Sequence, residues 1–230
     1  MATLDIGESM CLNEYCTAEL LPTDLSIGLN WQTVPQGQMQ VQLGCALLTA
    51  QWECVDSVTP EQEQTACASV KRGGEEQRDR GGDKDAQMIH ITLASVPEAV
   101  TFICCYITSV DATVKLGNGV SCEGKLLDKA TERVLSVFTV RDKKQMDNYP
   151  AMHMCFFFKL EDRWYFQVAG MGAAGVSPEL IADHAKKFLM DKRAPQRRMQ
   201  INSNNAKLIK RYEHSSKQSS KHTTPRYTPR

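Results

Sequence analysis

Between residues 38 and 45 apolar and polar positions alternate one for one. Met39, Val41, Leu43 and Cys45 fall on one face, and Gln38, Gln40 and Gln42 on the other. That is the period of a strand buried on one side. The same alternation returns over residues 87–93, where Ile89, Ile91 and Leu93 face one way. Residues 25–31, 133–140 and 151–160 also predict strands, and residues 100–110 are apolar on both faces, as a central sandwich strand would be. Gly117-Asn118-Gly119, preceded by Val114 and Leu116, predicts a hairpin turn. A second hairpin is predicted through Glu161-Asp162-Arg163 into residues 164–169, a strand that stops at Gly170 and Gly172; on it Trp164, Phe166 and Val168 share a face, with Tyr165 opposite.

One helix follows. Ser177-Pro178-Glu179 supplies an N-cap, a first-turn proline and an acid at the positive helix end. Leu180, Ile181, Ala185, Phe188 and Leu189 give it an apolar side. Many short strands with one late helix predict a mainly β protein, an antiparallel β-sandwich of two sheets with a C-terminal helix. Residues 1–24 read as an extension, residues 25–190 as the domain and residues 191–230 as a tail. Residues 59–86 are rich in Glu, Gln, Arg and Gly and read as a long mobile loop within the domain.

Charge sharpens the picture. The chain is neutral, with 27 Lys+Arg and 27 Asp+Glu, yet residues 186–230 hold 13 of the former and 2 of the latter. The first 185 residues are left with 14 against 25, so a body of about −11 precedes a tail of about +11. Lys192, Arg193, Arg197, Arg198, Lys207, Lys210 and Arg211 carry the tail's basic pairs, and the Ser, Thr, Pro and Lys mixture around them cannot fold alone. Such a tail suits a polyanion: an acidic protein surface such as tubulin tails on microtubules, or a nucleic acid. Phosphate on Thr224 or Thr228, each followed by proline, would cut its charge. No apolar run reaches the ~18–20 residues of a membrane span. The start lacks the pattern of a secretory signal, and Cys45, Cys104 and Cys155 sit in apolar runs, so a reduced, cytoplasmic protein is expected.

Catalytic motifs fall short. Gly119 to Lys125 spells G-x-x-x-x-G-K, but Leu126 stands where a magnesium-holding Ser or Thr belongs, and a glycine-turned hairpin is the plainer reading. Glu123 replaces the second glycine of a nucleophile elbow. Cys104 and Cys105 are adjacent on a strand and so point to opposite faces, and the apolar surroundings of Cys155 would leave its thiol inert. His90 and His153 read as structural histidines. No C-x-x-C or H-E-x-x-H spacing offers a zinc site.

The order of segments resembles the TerD family, which is linked to bacterial tellurite resistance. Leu25-Ser26-Ile27-Gly28-Leu29-Asn30-Trp31 resembles its early strand; Ile89-His90-Ile91-Thr92-Leu93 with Val96-Pro97 resembles a second segment; Glu132-Arg133-Val134 falls on an arginine-bearing strand; and Ala151-Met152 through Trp164-Tyr165-Phe166 to Gly170-Met171-Gly172 resembles its ending. The likeness spans about residues 20–185. It implies a two-sheet sandwich; bacterial members resemble calcium-binding modules, and eukaryotic relatives are associated with cyclic nucleotides. This chain departs from the family at the acids. The "DLD" strand falls on Gln42-Leu43-Gly44, the "DDE" loop on Asp85-Ala86-Gln87, and Thr92 replaces a further aspartate. Asp83 and Asp85 are the surviving metal candidates, with Glu75, Glu76 and Asp79 as replacements from the loop; they would bind calcium weakly, since a hard cation wants six to eight oxygens. The expectation is a protein without enzyme activity and without a cofactor, a structural or interaction module whose tail meets an acidic partner, near the cytoskeleton. A calcium-binding stress protein and a nucleic-acid binder are the alternatives.

Overall fold

A computed structural model describes residues 2–15, 23–33, 40–73, 87–118, 120–140, 147–160 and 162–190. The chain divides into residues 1–191 and residues 192–230, and every described residue lies in the first unit.

Among the described residues twelve strands build two sheets. They are β1 (Ala2–Leu4), β2 (Ser9–Cys11), β3 (Asp24–Thr33), β4 (Val41–Thr49), β5 (Cys54–Val58), β6 (Val70–Gly73), β7 (Gln87–Thr92), β8 (Val100–Ser109), β9 (Val120–Asp128), β10 (Arg133–Val140), β11 (Ala151–Leu160) and β12 (Arg163–Ala173). One sheet runs β1-β10-β9-β3-β7-β6, the other β2-β12-β11-β8-β4-β5. All pairs are antiparallel except β1 with β10, which is parallel. Leu25, Ile27, Leu29, Ile89, Ile91, Leu126 and Phe138 from the first sheet meet Leu43, Leu47, Ile103, Ile107, Phe157, Phe166 and Val168 from the second in one buried core. The mainly β sandwich is therefore as the alternating pattern requires.

A second core explains why β8 and β11 are apolar on both faces. The helix α1 (Pro178–Met190) lies on the outer face of the second sheet, where Ile181, Ala182 and Ala185 pack with Ala46, Leu48, Cys104, Tyr106, Phe156 and Met171. Leu180, expected on the apolar side, is 53% exposed. Ser177 caps the start, its hydroxyl accepting from the Leu180 N–H at 3.4 Å.

Four expectations are corrected. Residues 2–11, read as an extension, supply β1 to one sheet and β2 to the other. The Gly7 N–H donates to the Val168 carbonyl at 2.8 Å and Gln167 Nε2 to the Gly7 carbonyl at 3.0 Å, so hydrogen bonds to its backbone seat a segment too short to show a period. Residues 59–73 are structured: the Asp56 carboxylate accepts the Ala66 N–H at 2.7 Å, the Thr65 hydroxyl bonds both backbone groups of Val70, and β6 pairs with β7. Gly117-Asn118 does not turn a hairpin, because β8 and β9 belong to different sheets and the segment crosses between them. β12 does not stop at the glycines; it runs on to Ala173, with a register shift opposite Met154 that Gly170 accommodates at φ +61°.

Candidate functional site

Alternation on β4 sends Val41, Leu43 and Cys45 inward and leaves Gln42 and Gly44 on the outer face. Across the ladder, Gln42 stands opposite Thr108 and Gly44 opposite Tyr106. These four form the floor of a cleft of about 330 Å³, with Thr59, Pro60 and Glu61 as one wall and Val176, Ser177 and Pro178 at the helix start as another. Glycine is needed at position 44, because a Cβ there would lie 2.5 Å from the Tyr106 ring. Burial pushes the Tyr106 hydroxyl well above its usual pKa, so it stays a neutral phenol. Glu61 is the one carboxylate among the lining residues, and it accepts from the Thr59 hydroxyl at 2.9 Å.

Two positions where the family resemblance implies acids, Gln87 and Thr92, hold neutral groups that are already engaged. Gln87 Oε1 accepts the Leu43 N–H at 2.7 Å and its Nε2 donates to the Val41 carbonyl at 3.3 Å, so one amide joins β7 of the first sheet to β4 of the second. A carboxylate could take the first bond but not make the second. The Thr92 hydroxyl donates to Asp24 Oδ1 at 2.7 Å, where an aspartate would oppose Asp24 with like charge. A calcium ion needs several charged oxygens converging on one point. Gln42, Gly44, Gln87 and Thr92 do not fit that demand, and among the described residues no three His, Cys, Asp or Glu side chains converge in a way that could hold a metal. Asp83 and Asp85, with Glu75, Glu76 and Asp79, lie outside the described residues, as do Lys192, Arg193, Arg197, Arg198, Lys207, Lys210 and Arg211.

Thiols and imidazoles come together in two places, both closed to solvent. Cys45, Cys105 and Cys155 face one another on three adjacent strands inside the main core, with Cys105 and Cys45 sulfurs 4.0 Å apart. Burial raises the pKa of Cys45 and Cys155, which keeps both as thiols; hydrogen bonding with Cys155 and Cys45 draws the pKa of Cys105 down to about 5. On the outer face, Cys104 Sγ lies 3.2 Å from His153 Nδ1. An activated thiolate–imidazolium pair needs a low thiol pKa and an imidazole that holds its proton. Here burial does the reverse: it raises the Cys104 thiol and lowers the His153 pKa to about 3. The adjacent-cysteine reading is upheld, since Cys104 and Cys105 lie in different cores. His90 serves the sheet through Ser26 Oγ, 2.7 Å from its Nδ1.

The cleft residues Tyr106, Thr108 and Glu61 escaped the sequence reading, and Ser177 was read only as a helix cap. The outward positions of β4 and β8 become a floor only once the helix is known to cover that face.

The fold and cleft define a sandwich scaffold that presents a cleft of mixed polar and apolar lining beside the start of its covering helix. The chain belongs to the TerD family, whose domain model matches residues 3–184. Among solved structures, the protein of unknown function SAV2460 has a TM-score of 0.54 at 12% identity, covering 70% of this chain and 96% of that one. A homologue of the telluride resistance protein TerD, SCO6318 from Streptomyces coelicolor A3(2), has a TM-score of 0.52 at 13% identity, covering 70% and 95%. These likenesses concern the fold. Among curated proteins no match is found. No helix among the described residues is long and apolar enough to cross a membrane.

Proposed function

We propose that this protein is a non-catalytic TerD-family interaction module: a rigid sandwich body that carries a basic tail to an acidic protein surface. The charge division carries the reading, with a surplus of about eleven positive charges after residue 185 and an equal deficit before it. The body supports it. The Cys104 thiol and the buried His153 imidazole are held in their unreactive forms, and the cleft is lined almost wholly by uncharged groups. A cytoplasmic location beside an acidic polymer such as the microtubule surface suits such a tail. A role in stress or tellurite response fits the family and asks nothing of a metal in the described part of this chain.

The test is the binding of fluorescently labelled polyglutamate, followed by anisotropy, to the full chain and to a chain ending at Met190. Binding by the full chain alone, weakening as salt rises, supports the reading. Equal binding by both chains overturns the tail's role. Duplex DNA bound in place of polyglutamate at the same salt would make the protein a nucleic-acid binder.

A further inference from the structure

Two imidazoles meet where the helix α1 lies on the second sheet, and neither is satisfied. His153, on β11, is fully buried, and its Nε2 has no hydrogen-bond partner among the described residues. His184, on α1, is part-buried and its Nδ1 is likewise buried without one. Their rings are nearly parallel, at 18°, with centroids 6.2 Å apart. Buried polar nitrogens are almost always paired, so two bare ones facing one interface mark a place where the fold has given up stability. We propose that His153 and His184 form a proton-sensitive latch: neutral, they let the helix dock on the sheet; protonated, they release it and uncover the outer face of the second sheet.

The surroundings make protonation incompatible with docking. Facing His153 are Cys104 from β8, whose Sγ occupies Nδ1 at 3.2 Å, the Phe156 ring of its own strand at 5.6 Å, and His184 from the helix. Tyr106 stands opposite it on β8 and Met171 opposite it on β12. Facing His184 are the Tyr149 ring at 5.5 Å and, along the helix, Lys187, which is paired with Asp183 at 4.0 Å. Burial lowers the pKa of both, helped by His184 acting on His153 and by Lys187 acting on His184. Asp183, next to His184 on the helix, is paired with Lys187.

A histidine whose pKa is lowered by docking binds its proton better in the released state, so docking is complete above pH ~6.5 and weakens as pH falls toward the docked value. With His153 at about 3 when docked, the docking equilibrium shifts by about 30-fold between pH 7.5 and pH 5.0 from that residue alone. Release exposes Leu48, Cys104, Tyr106, Phe156 and Met171. The latch is independent of what the tail binds.

Hydrogen exchange read by mass spectrometry on the full chain tests it, using protection factors that remove the intrinsic pH dependence. Peptides from α1 should lose about 30-fold in protection between pH 7.5 and 5.0 while β3 and β9 change little. His153→Phe should abolish that loss. If His153→Phe does not fold, the ring-nitrogen shifts of His153 in the wild type decide: the latch requires a neutral ring at pH 5.0 wherever the helix is protected. Unchanged protection of α1 in the wild type, an equal loss in His153→Phe, or a charged His153 in the docked form would overturn the proposal.

Discussion

At the scale of single residues, glycines and amides do much of the shaping. Gly124 faces Phe138 across β9 and β10, and a Cβ there would lie 2.1 Å from the ring. From Val120 on, the G-x-x-x-x-G-K run lies in β9, and its second glycine makes room for an aromatic core residue. Gly124→Ala is expected to lower stability by about 1–3 kcal/mol in urea unfolding with the slope unchanged, because the ring must move in a filled core. Gln87 makes a second prediction. Gln87→Glu removes the bond to the Val41 carbonyl and buries charge at the seam, so it should cost about 1–3 kcal/mol at neutral pH. A protonated glutamic acid can donate again, so the deficit should shrink below pH ~4, read as a converging pair of unfolding midpoints. A deficit independent of pH would contradict that account.

At the scale of elements, what was legible depended on whether a segment carried its own period. β4 and β7 were readable because one face is core and the other is not, and the one-for-one alternation says so directly. β8 was readable as central from its two apolar faces, although what covers the second face, the helix, was not. β1 and β2 are three residues each and show no period; their place comes from backbone bonds to β12 and pairing with β10. Gly117-Asn118 misled because the same dipeptide serves hairpins and crossings between sheets. The candidate site was less legible than the fold. Counting along the chain put Gln42 and Gln87 in related places, but the amide that joins β7 to β4 depends on how two sheets stack, which no local pattern records. The helix makes its own prediction: Ala182→Asp would put an unpaired charge between α1 and the sheet and should lower the melting temperature by several degrees, while Asp183→Ala, on the exposed side, should change it by less than about 2 °C.

At the scale of the whole molecule, a sandwich of TerD type stands with neutral residues at positions 42, 44, 87 and 92, where the family resemblance implies acids. Its stability should therefore owe nothing to calcium. A melting temperature that differs by less than about 1 °C between 1 mM calcium and a chelator is the expected result, since a ligand stabilises a fold only through binding it. A rise of several degrees would show that carboxylates elsewhere in the chain have rebuilt a site. In the function we propose, binding rests on charge carried beyond the body. The most direct measurement keeps the full chain and changes only that charge: Lys192, Arg193, Arg197, Arg198, Lys207, Lys210 and Arg211 are all replaced by glutamine, and polyglutamate binding is compared with wild type at one salt concentration. The account predicts that binding falls at least about tenfold while the melting temperature of the body is unchanged. Binding retained at wild-type strength would contradict it.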